Sequence, residues 1–328
     1  MFGALLAFLK NLPGVPVLLM TASLPENRLK EVRNSVGNRA DRLVEISGPL
    51  ELESLKRYRQ WKQPDRQIVD IVSEELKANG KVLWVSNTVK RTMDAYRACS
   101  QVVSSETVYH SRFRYIDRVK RHRAVISQFG IEGTAAIAWT SQVAEMSLDL
   151  SATLLITDLA PIPALIQRLG RLNRKAKPPN ASIMPFIVIE PIDNEGGLQS
   201  LPYNQQQLEE ALDWLNKLPA EITQRDLVQI WEGMGFKTKE EIPKDSKWID
   251  GGYEREVKEV RSGSPSVNVI LRSDVDRVRS GELSLPEVII PMNQKTGMKI
   301  DEWPQFQGAT IVNESILQYS ELLGGEWI

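Results

Sequence analysis

Between residues 65 and 191, short apolar runs alternate with amphipathic segments of helix length, and this alternation limits the fold more than any other feature of the chain. The spacing predicts helices near 65–79, 88–100, 114–129 and 161–171. It predicts strands at Lys81–Ser86, a short run ending at Val108-Tyr109, Ala135–Trp139, Thr153–Thr157 and Ile183–Ile189. Strands apolar at consecutive positions are buried on both faces, the condition of a parallel sheet between two helix layers. An α/β fold follows, and such sheets carry their ligand-contacting residues in loops at the carboxyl ends of the strands.

The flanks read differently. The first ten residues, apolar except for Lys10, predict a short buried helix, then a turn at Leu12-Pro13-Gly14 and a strand over Val15–Met20. A polar helix follows, capped by Ser23 or Asn27, and then a short strand Arg42–Ile46. Lys10, Asn11 and Pro13 interrupt the apolar start and no basic region precedes it, so it does not read as a signal peptide. No run reaches the ~18 apolar residues of a membrane span, and a cytoplasmic protein with no membrane partner is expected. The charged and proline-bearing stretch 51–64 reads as a linker. Beyond Pro191, helices at 203–218 and 223–234 predict a helical connector over 192–247. Short runs at Val267–Leu271 and Glu287–Pro291 then predict a small β-rich C-terminal domain over 248–328.

A length of 328 residues suggests two or three domains at roughly 100–200 residues each. The single cysteine, Cys99, excludes a disulfide framework and a cysteine-rich zinc site. Only two histidines, His110 and His122, are present, so the chain is expected to bind no metal by itself. The net charge of −1 conceals an asymmetry: residues 1–174 hold 25 Lys/Arg against 17 Asp/Glu, and the remainder 16 against 25. A polyanion-binding half joined to a non-binding half gives such a split, as do two domains of different surface composition.

The most specific segment is Gln167-Arg168-Leu-Gly170-Arg171-Leu-Asn-Arg174 at a helix end. Arginines three apart project several planar, permanently charged guanidiniums from one short segment, which suits phosphate; a solvated helix end is the alternative. The pattern resembles motif VI of superfamily 2 helicases. The resemblance implies that Arg171 and Arg174 are catalytic fingers reaching ATP and that Gln167 and Arg168 bind the nucleotide. Upstream, Thr140–Asp149 resembles motif V, implying that Ser141 and Gln142 touch the nucleic-acid backbone and that Ser147 and Asp149 lie on the nucleotide side; Asp149 as a turn cap is the alternative. Lys81–Thr88 resembles motif IV, with Asn87 and Thr88 as nucleic-acid contacts. Tyr109-His110-Ser111-Arg112, with Arg114, is similar to the phosphate-contacting segment that follows it, and Thr21-Ala22-Ser23 resembles motif III, implying contacts from Thr21 and Ser23. Arg112, Arg114, Arg118, Lys120, Arg121 and Arg123, opposed only by Asp117, would give sequence-independent, salt-sensitive affinity, or form a solvated basic helix.

Together with Thr157-Asp158-Leu-Ala160-Pro161 before the arginine segment, these motifs resemble the CRISPR-associated helicase-nuclease of type I systems. That resemblance implies a second RecA-like lobe over 65–191, a remnant of the first lobe over 1–50, and an accessory C-terminal domain. It also implies single-stranded or unwinding DNA and a guide-RNA surveillance complex as partners. No Gly-x-x-x-x-Gly-Lys-Ser/Thr occurs: Gly80-Lys81 lacks the upstream glycine, and Asp301-Glu302 follows motif VI instead of preceding it. ATP and Mg²⁺ are therefore expected only where a first helicase lobe comes from a longer or separate chain, and no hydrolysis is expected from this chain alone. The histidine count leaves no multi-histidine nuclease centre. The alternatives are a non-catalytic nucleic-acid-binding or docking module, and a lobe of another superfamily 2 helicase, since motifs V and VI are widely shared.

Overall fold

The computed structural model describes residues 2–11, 15–20, 26–37, 43–46, 48–62, 66–101, 103, 107–179, 181–192, 198–235, 266–294, 298 and 300–328. Helices α1 (Phe2–Asn11) and α2 (Glu26–Val36) pack on each other, with Leu6 and Val32 buried. Asn27 lies within α2 and is not its cap. The expected strands at 15–20 and 42–46 do not form among the described residues. Residues 15–20 and 43–46 belong to no helix or strand, and Leu18, Met20, Val44 and Ile46 are exposed. The apolar runs are there, but no other strand among the described residues pairs with them, and a strand needs a partner for its backbone groups.

The following elements are α3 (Leu50–Glu53), β1 (Lys56–Gln60), α4 (Ile68–Lys77), β2 (Lys81–Val85), α5 (Val89–Cys99), β3 (Val108–Tyr109), α6 (Tyr115–Gly130), β4 (Ala136–Thr140), α7 (Val143–Ser147), β5 (Leu154–Asp158), α8 (Ile162–Leu169), β6 (Met184–Ile189), α9 (Gln205–Lys217), β7 (Ile222–Thr223) and α10 (Gln224–Gly233). The seven strands form one sheet in the order β3-β4-β2-β5-β6-β1-β7. Every pairing is parallel except that of β7 with β1. Strand β2 shows why the two faces form: Val82 and Trp84 pack with Ile71 and Val72 of α4, while Leu83 and Val85 join Phe129 of α6 and Leu165 of α8 on the other side. Thr88 caps α5 by accepting the Arg91 amide at 3.2 Å. The N-x-x-Q and T-x-x-D patterns at Asn204 and Thr223 form capping boxes that start α9 and α10.

Two boundaries are corrected. The expected linker 51–64 contains β1, which lies between β6 and β7 with Tyr58 fully buried. The expected connector is part of the lobe: Leu208, Trp214, Leu215 and Leu227 join the same core as the sheet, and the Trp214 indole donates to the Leu227 carbonyl at 3.1 Å. Its residues from 236 onward lie outside the described residues.

The C-terminal domain contains β8 (Ser266–Leu271), α11 (Arg272–Arg279), α12 (Leu285–Val288), β9 (Ile290–Asn293), β10 (Gln305–Phe306), β11 (Ala309–Val312), β12 (Leu317–Ser320) and β13 (Gly324–Trp327). Four strands run in the order β10-β11-β8-β9, and β12 and β13 form a hairpin. The expected run 287–291 divides into the end of α12 and the start of β9, because Ser284 and Glu287 form a capping box that starts a helical turn. The architecture is thus the expected α/β fold with a small β-rich C-terminal domain.

Candidate nucleotide and nucleic-acid site

The loops leaving β2, β4 and β5 meet at the carboxyl edge of the sheet, and a buried arginine joins them. Arg168 is 0% exposed. Its Nε and one terminal nitrogen donate to Glu145 Oε1 at 3.0 and 2.9 Å. The other terminal nitrogen donates to Thr157 Oγ1 at 2.7 Å and to the Asp158 carbonyl at 3.0 Å. Asn87 Oδ1 and the Tyr203 hydroxyl accept further bonds at 3.1 and 3.3 Å. Asn87, 2% exposed, takes its backbone amide to Asp158 Oδ2 at 2.8 Å and its side-chain amide to the Leu159 carbonyl at 2.7 Å. Asp158 in turn accepts both arms of Arg91 at 2.7 Å, a two-point pair whose bonds raise the Arg91 pKa. Gln142 Nε2 reaches the Tyr203 hydroxyl at 2.8 Å, and Ser141 beside it is buried.

This network corrects the expectations for Arg168 and Asn87 and gives Thr88 a structural role. Arg168 offers no surface to a nucleotide; it ties the β2, β4 and β5 loops together. Asn87 is spent in the same network, and Thr88 is a helix cap. Position in the helix explains the difference between neighbours: Arg168 lies within α8 among the buried Leu165, Ile166 and Leu169, whereas Gln167 faces out and Arg171 and Arg174 lie beyond the helix end at Leu169. Gln167 and Arg174 are exposed, and Arg171 is half-buried with its guanidinium on the Ala144 and Glu145 carbonyls at 3.2 and 2.8 Å. Burial, and then the like charge of Arg174, lower the Arg171 pKa. Arg174 pairs with Asp149 at 2.9 Å, and both are substantially exposed. Ser147 ends α7; its side chain lies outside the described residues.

The second group of expected contacts lies at the far edge, after β3, and the C-terminal domain covers it. His110 is 0% exposed and stacks on Phe113 at 4.5 Å, with Nδ1 accepting the Arg112 amide at 3.2 Å. Burial, then the Arg112 charge, lower its pKa from 6.5 to about 3, so the ring is neutral. The hairpin closes over this loop: the Gly325 amide donates to the Arg112 carbonyl at 2.7 Å. A Cβ on Gly324, at φ +72, would stand 2.5 Å from that carbonyl and 2.9 Å from the His110 ring. Arg114 pairs with Asp274 at 2.6 Å and lies over the Tyr319 ring at 4.3 Å. The Tyr319 hydroxyl donates to Asp117 at 2.6 Å and accepts the Arg114 amide at 3.1 Å. Burial, and the bond to Asp117, push its pKa up. His110 and Arg114 are therefore packing and docking residues in this conformation, while Ser111 and Arg112 keep part of their surface.

Thr21 and Ser23 lie outside the described residues. Among the described residues no group of three His, Cys, Asp or Glu is placed to hold a metal ion, and no helix is long and apolar enough to cross a membrane. Sequence reasoning assigned no role to Arg91, Asp158 or Tyr203. Asp158 carried a signal, a carboxylate closing an apolar strand at the ligand edge of the sheet. Arg91 and Tyr203 had none in their local sequence.

The fold defines the chain as an α/β protein with a mostly parallel seven-stranded sheet and a docked, small β-rich C-terminal domain. The comparisons with known proteins narrow this. Residues 78–177 match the family model described as CRISPR-associated nuclease/helicase Cas3, C-terminal. A relative from Myxococcus xanthus bearing the name CRISPR-associated nuclease/helicase Cas3 is 44% identical over 337 aligned residues, covering 100% of this chain and 43% of its own. The crystal structure of T. fusca Cas3 with AMPPNP superposes with a TM-score of 0.68 at 18% identity, over 99% of this chain and 52% of that one. A chain of the structure titled CRISPR RNA-guided surveillance complex, pre-nicking, superposes with a TM-score of 0.61 at 17% identity, over 98% and 54%. The chain is thus similar, along its whole length, to the C-terminal helicase portion of Cas3 proteins, and it spans about half the length of the proteins it matches.

Proposed function

We propose that this chain acts as the second motor lobe of an ATP-dependent DNA helicase in CRISPR defence, with ATP held between it and a P-loop lobe on a longer or separate chain. The observation that carries the reading is the ridge just past the end of α8, where the half-buried Arg171 lies on the Ala144 and Glu145 carbonyls and the exposed Arg174 pairs with Asp149. A polyphosphate would bring counter-charge to this cationic ridge, and planar forks suit its spread charge. The residues fit the phosphate part of ATP; they do not fit Mg²⁺, for which the described residues supply no ligand cluster. Gln167 and Asp149, exposed beside the ridge, fit the remainder of the nucleotide. Ser141, Gln142, Ser111 and Arg112 are the residues proposed to meet single-stranded DNA, and a cytoplasmic guide-RNA surveillance complex is the proposed recruiter. The exposed apolar segments 15–20 and 43–46 support a missing sheet neighbour, which a P-loop lobe would supply.

The test is complementation. The purified chain alone is expected to release no phosphate from ATP with single-stranded DNA. Mixing it with a P-loop-lobe fragment of a close relative is expected to restore turnover, and Arg171→Ala to lower it by about a thousandfold. DNA-stimulated turnover by the chain alone, or restored turnover indifferent to Arg171→Ala, refutes the proposal. DNA binding without restored turnover favours the non-catalytic docking module.

A further inference from the structure

We infer that Tyr203 is a positioning residue that sets the DNA-facing turn after β4; this rests on the reading of Gln142 as a nucleic-acid contact. Tyr203 lies outside residues 78–177 matched by the family model, in the segment leading to α9, yet its hydroxyl reaches the centre of the site. Gln142 Nε2 donates to it at 2.8 Å and Arg168 at 3.3 Å. Both donors converge on the one phenol oxygen, the shorter bond coming from Gln142. Gln142 is half-exposed on the turn before α7, whereas Arg168 is buried and fixed by Glu145, Thr157 and Asn87. The hydroxyl therefore links a rigid buried group to the side-chain amide of a partly exposed residue. The ring is itself partly buried, against the core that α9 shares with the sheet. Burial raises the Tyr203 pKa, so the hydroxyl is kept protonated and the junction does not change with pH near neutrality.

The segment after β6 would thus enter the site through one oxygen atom. Removing that oxygen leaves the ring packing in place and frees the Gln142 amide to rotate. A DNA backbone would then meet an amide that must be ordered on binding, at a cost comparable to one hydrogen bond.

The experiment measures fluorescence anisotropy of a labelled polythymidine oligonucleotide against the 328-residue chain, for the parent, Tyr203→Phe, Gln142→Ala and the double variant. Thermal melting of each is followed in parallel. Tyr203→Phe is expected to weaken binding about fivefold with an unchanged melting midpoint. Gln142→Ala is expected to weaken it at least as much, and the double variant to be no weaker than Gln142→Ala, because the hydroxyl acts only through that amide. Parent-like binding by Tyr203→Phe overturns the inference. So do losses that simply add in the double variant, as a general packing defect would give. Should Tyr203→Phe melt early, Gln142→Ala decides instead: this surface change leaves the fold intact, and parent-like binding by it overturns the inference. Failure of the parent chain to bind at all refutes the DNA-contact reading beneath the inference, and is separate because it appears before any substitution.

Discussion

Arg168 is the side chain on which the lobe's site geometry most depends, and its removal has a calculable consequence. Truncation by Arg168→Ala leaves the Glu145 carboxylate, with a side chain only 14% exposed, without its cation. The same truncation strands acceptors at Thr157, Asp158 and Asn87. Breaking a buried pair by removing one partner costs about 3–5 kcal/mol, and the stranded acceptors place this case at the upper end. At about 2–4 °C per kcal/mol for a unit of this size, melting of the lobe is expected to fall by about 10–15 °C. Trp84, Trp139 and Trp214 are buried in the lobe, so tryptophan fluorescence during heating reports that transition directly. Arg168→Lys keeps the charge but has three donors on a point charge instead of a planar fork, and is expected to lose about 2 kcal/mol. Glu145→Ala combined with Arg168→Ala is expected to recover part of the loss, since no carboxylate is then left unpaired. A fall of less than about 3 °C for Arg168→Ala, or a double variant as unstable as the sum of the singles, refutes the assignment of Arg168 as a structural hub.

Three further outcomes follow from the docked C-terminal domain. Tyr319→Phe removes a bond to the buried Asp117 carboxylate, and urea unfolding is expected to show a loss of about 2 kcal/mol; an unchanged midpoint contradicts this. Gly324→Ala places a methyl carbon within 2.5 Å of the Arg112 carbonyl at φ +72, so the hairpin must shift. Hydrogen exchange of β12, β13 and the 110–112 loop is expected to rise, and parent-like protection counts against the contact. His110 is neutral in the fold with a pKa lowered to about 3 from 6.5, so the unfolded chain binds more protons between those values. Stability is therefore expected to fall by up to about 1.4 kcal/mol per unit as pH drops through that window. His110→Gln removes this contribution; an identical slope in the variant means that other groups set the acid limb.

The sheet was legible because buried parallel strands are apolar at successive positions, and β2, β4 and β5 satisfy that pattern. Strand β1 was not, because Lys-Arg-Tyr-Arg-Gln buries only Tyr58 near the sheet's end and spends its charges on solvent and Glu221. The motif spacing brought Asn87, Gln142 and Arg168 to one edge but could not say which would be consumed internally. The end of α8 at Leu169 separates Arg168 inside the helix from Arg171 beyond it, and Gly170 marks that end in the sequence; the roles of Arg114 and His110 had no such mark. Their partners, Tyr319 and Gly324, lie more than 200 residues away, and local sequence does not encode which surface a distant hairpin will cover.

The same docking gives the charge asymmetry a different meaning. An excess of basic residues up to position 174 and of acidic ones beyond it suggested a polyanion-binding half and an indifferent tail. In the fold, part of that basic excess faces the acidic tail itself: Arg97 pairs with Glu326, Arg114 with Asp274, and Arg121 donates to the Glu321 carbonyl. Ion pairs with small exposure, such as Arg114–Asp274, are screened less by salt than surface ones. A phosphate backbone approaching this edge therefore competes with the protein's own C-terminal domain for the same cations. Of the basic stretch 112–123, Lys120 and Arg123 stay exposed while Arg114 and Arg121 are engaged. The charge available to nucleic acid in this conformation is smaller than a count of arginines and lysines implies, and the Gln142 turn carries more of the proposed contact than the basic helix does.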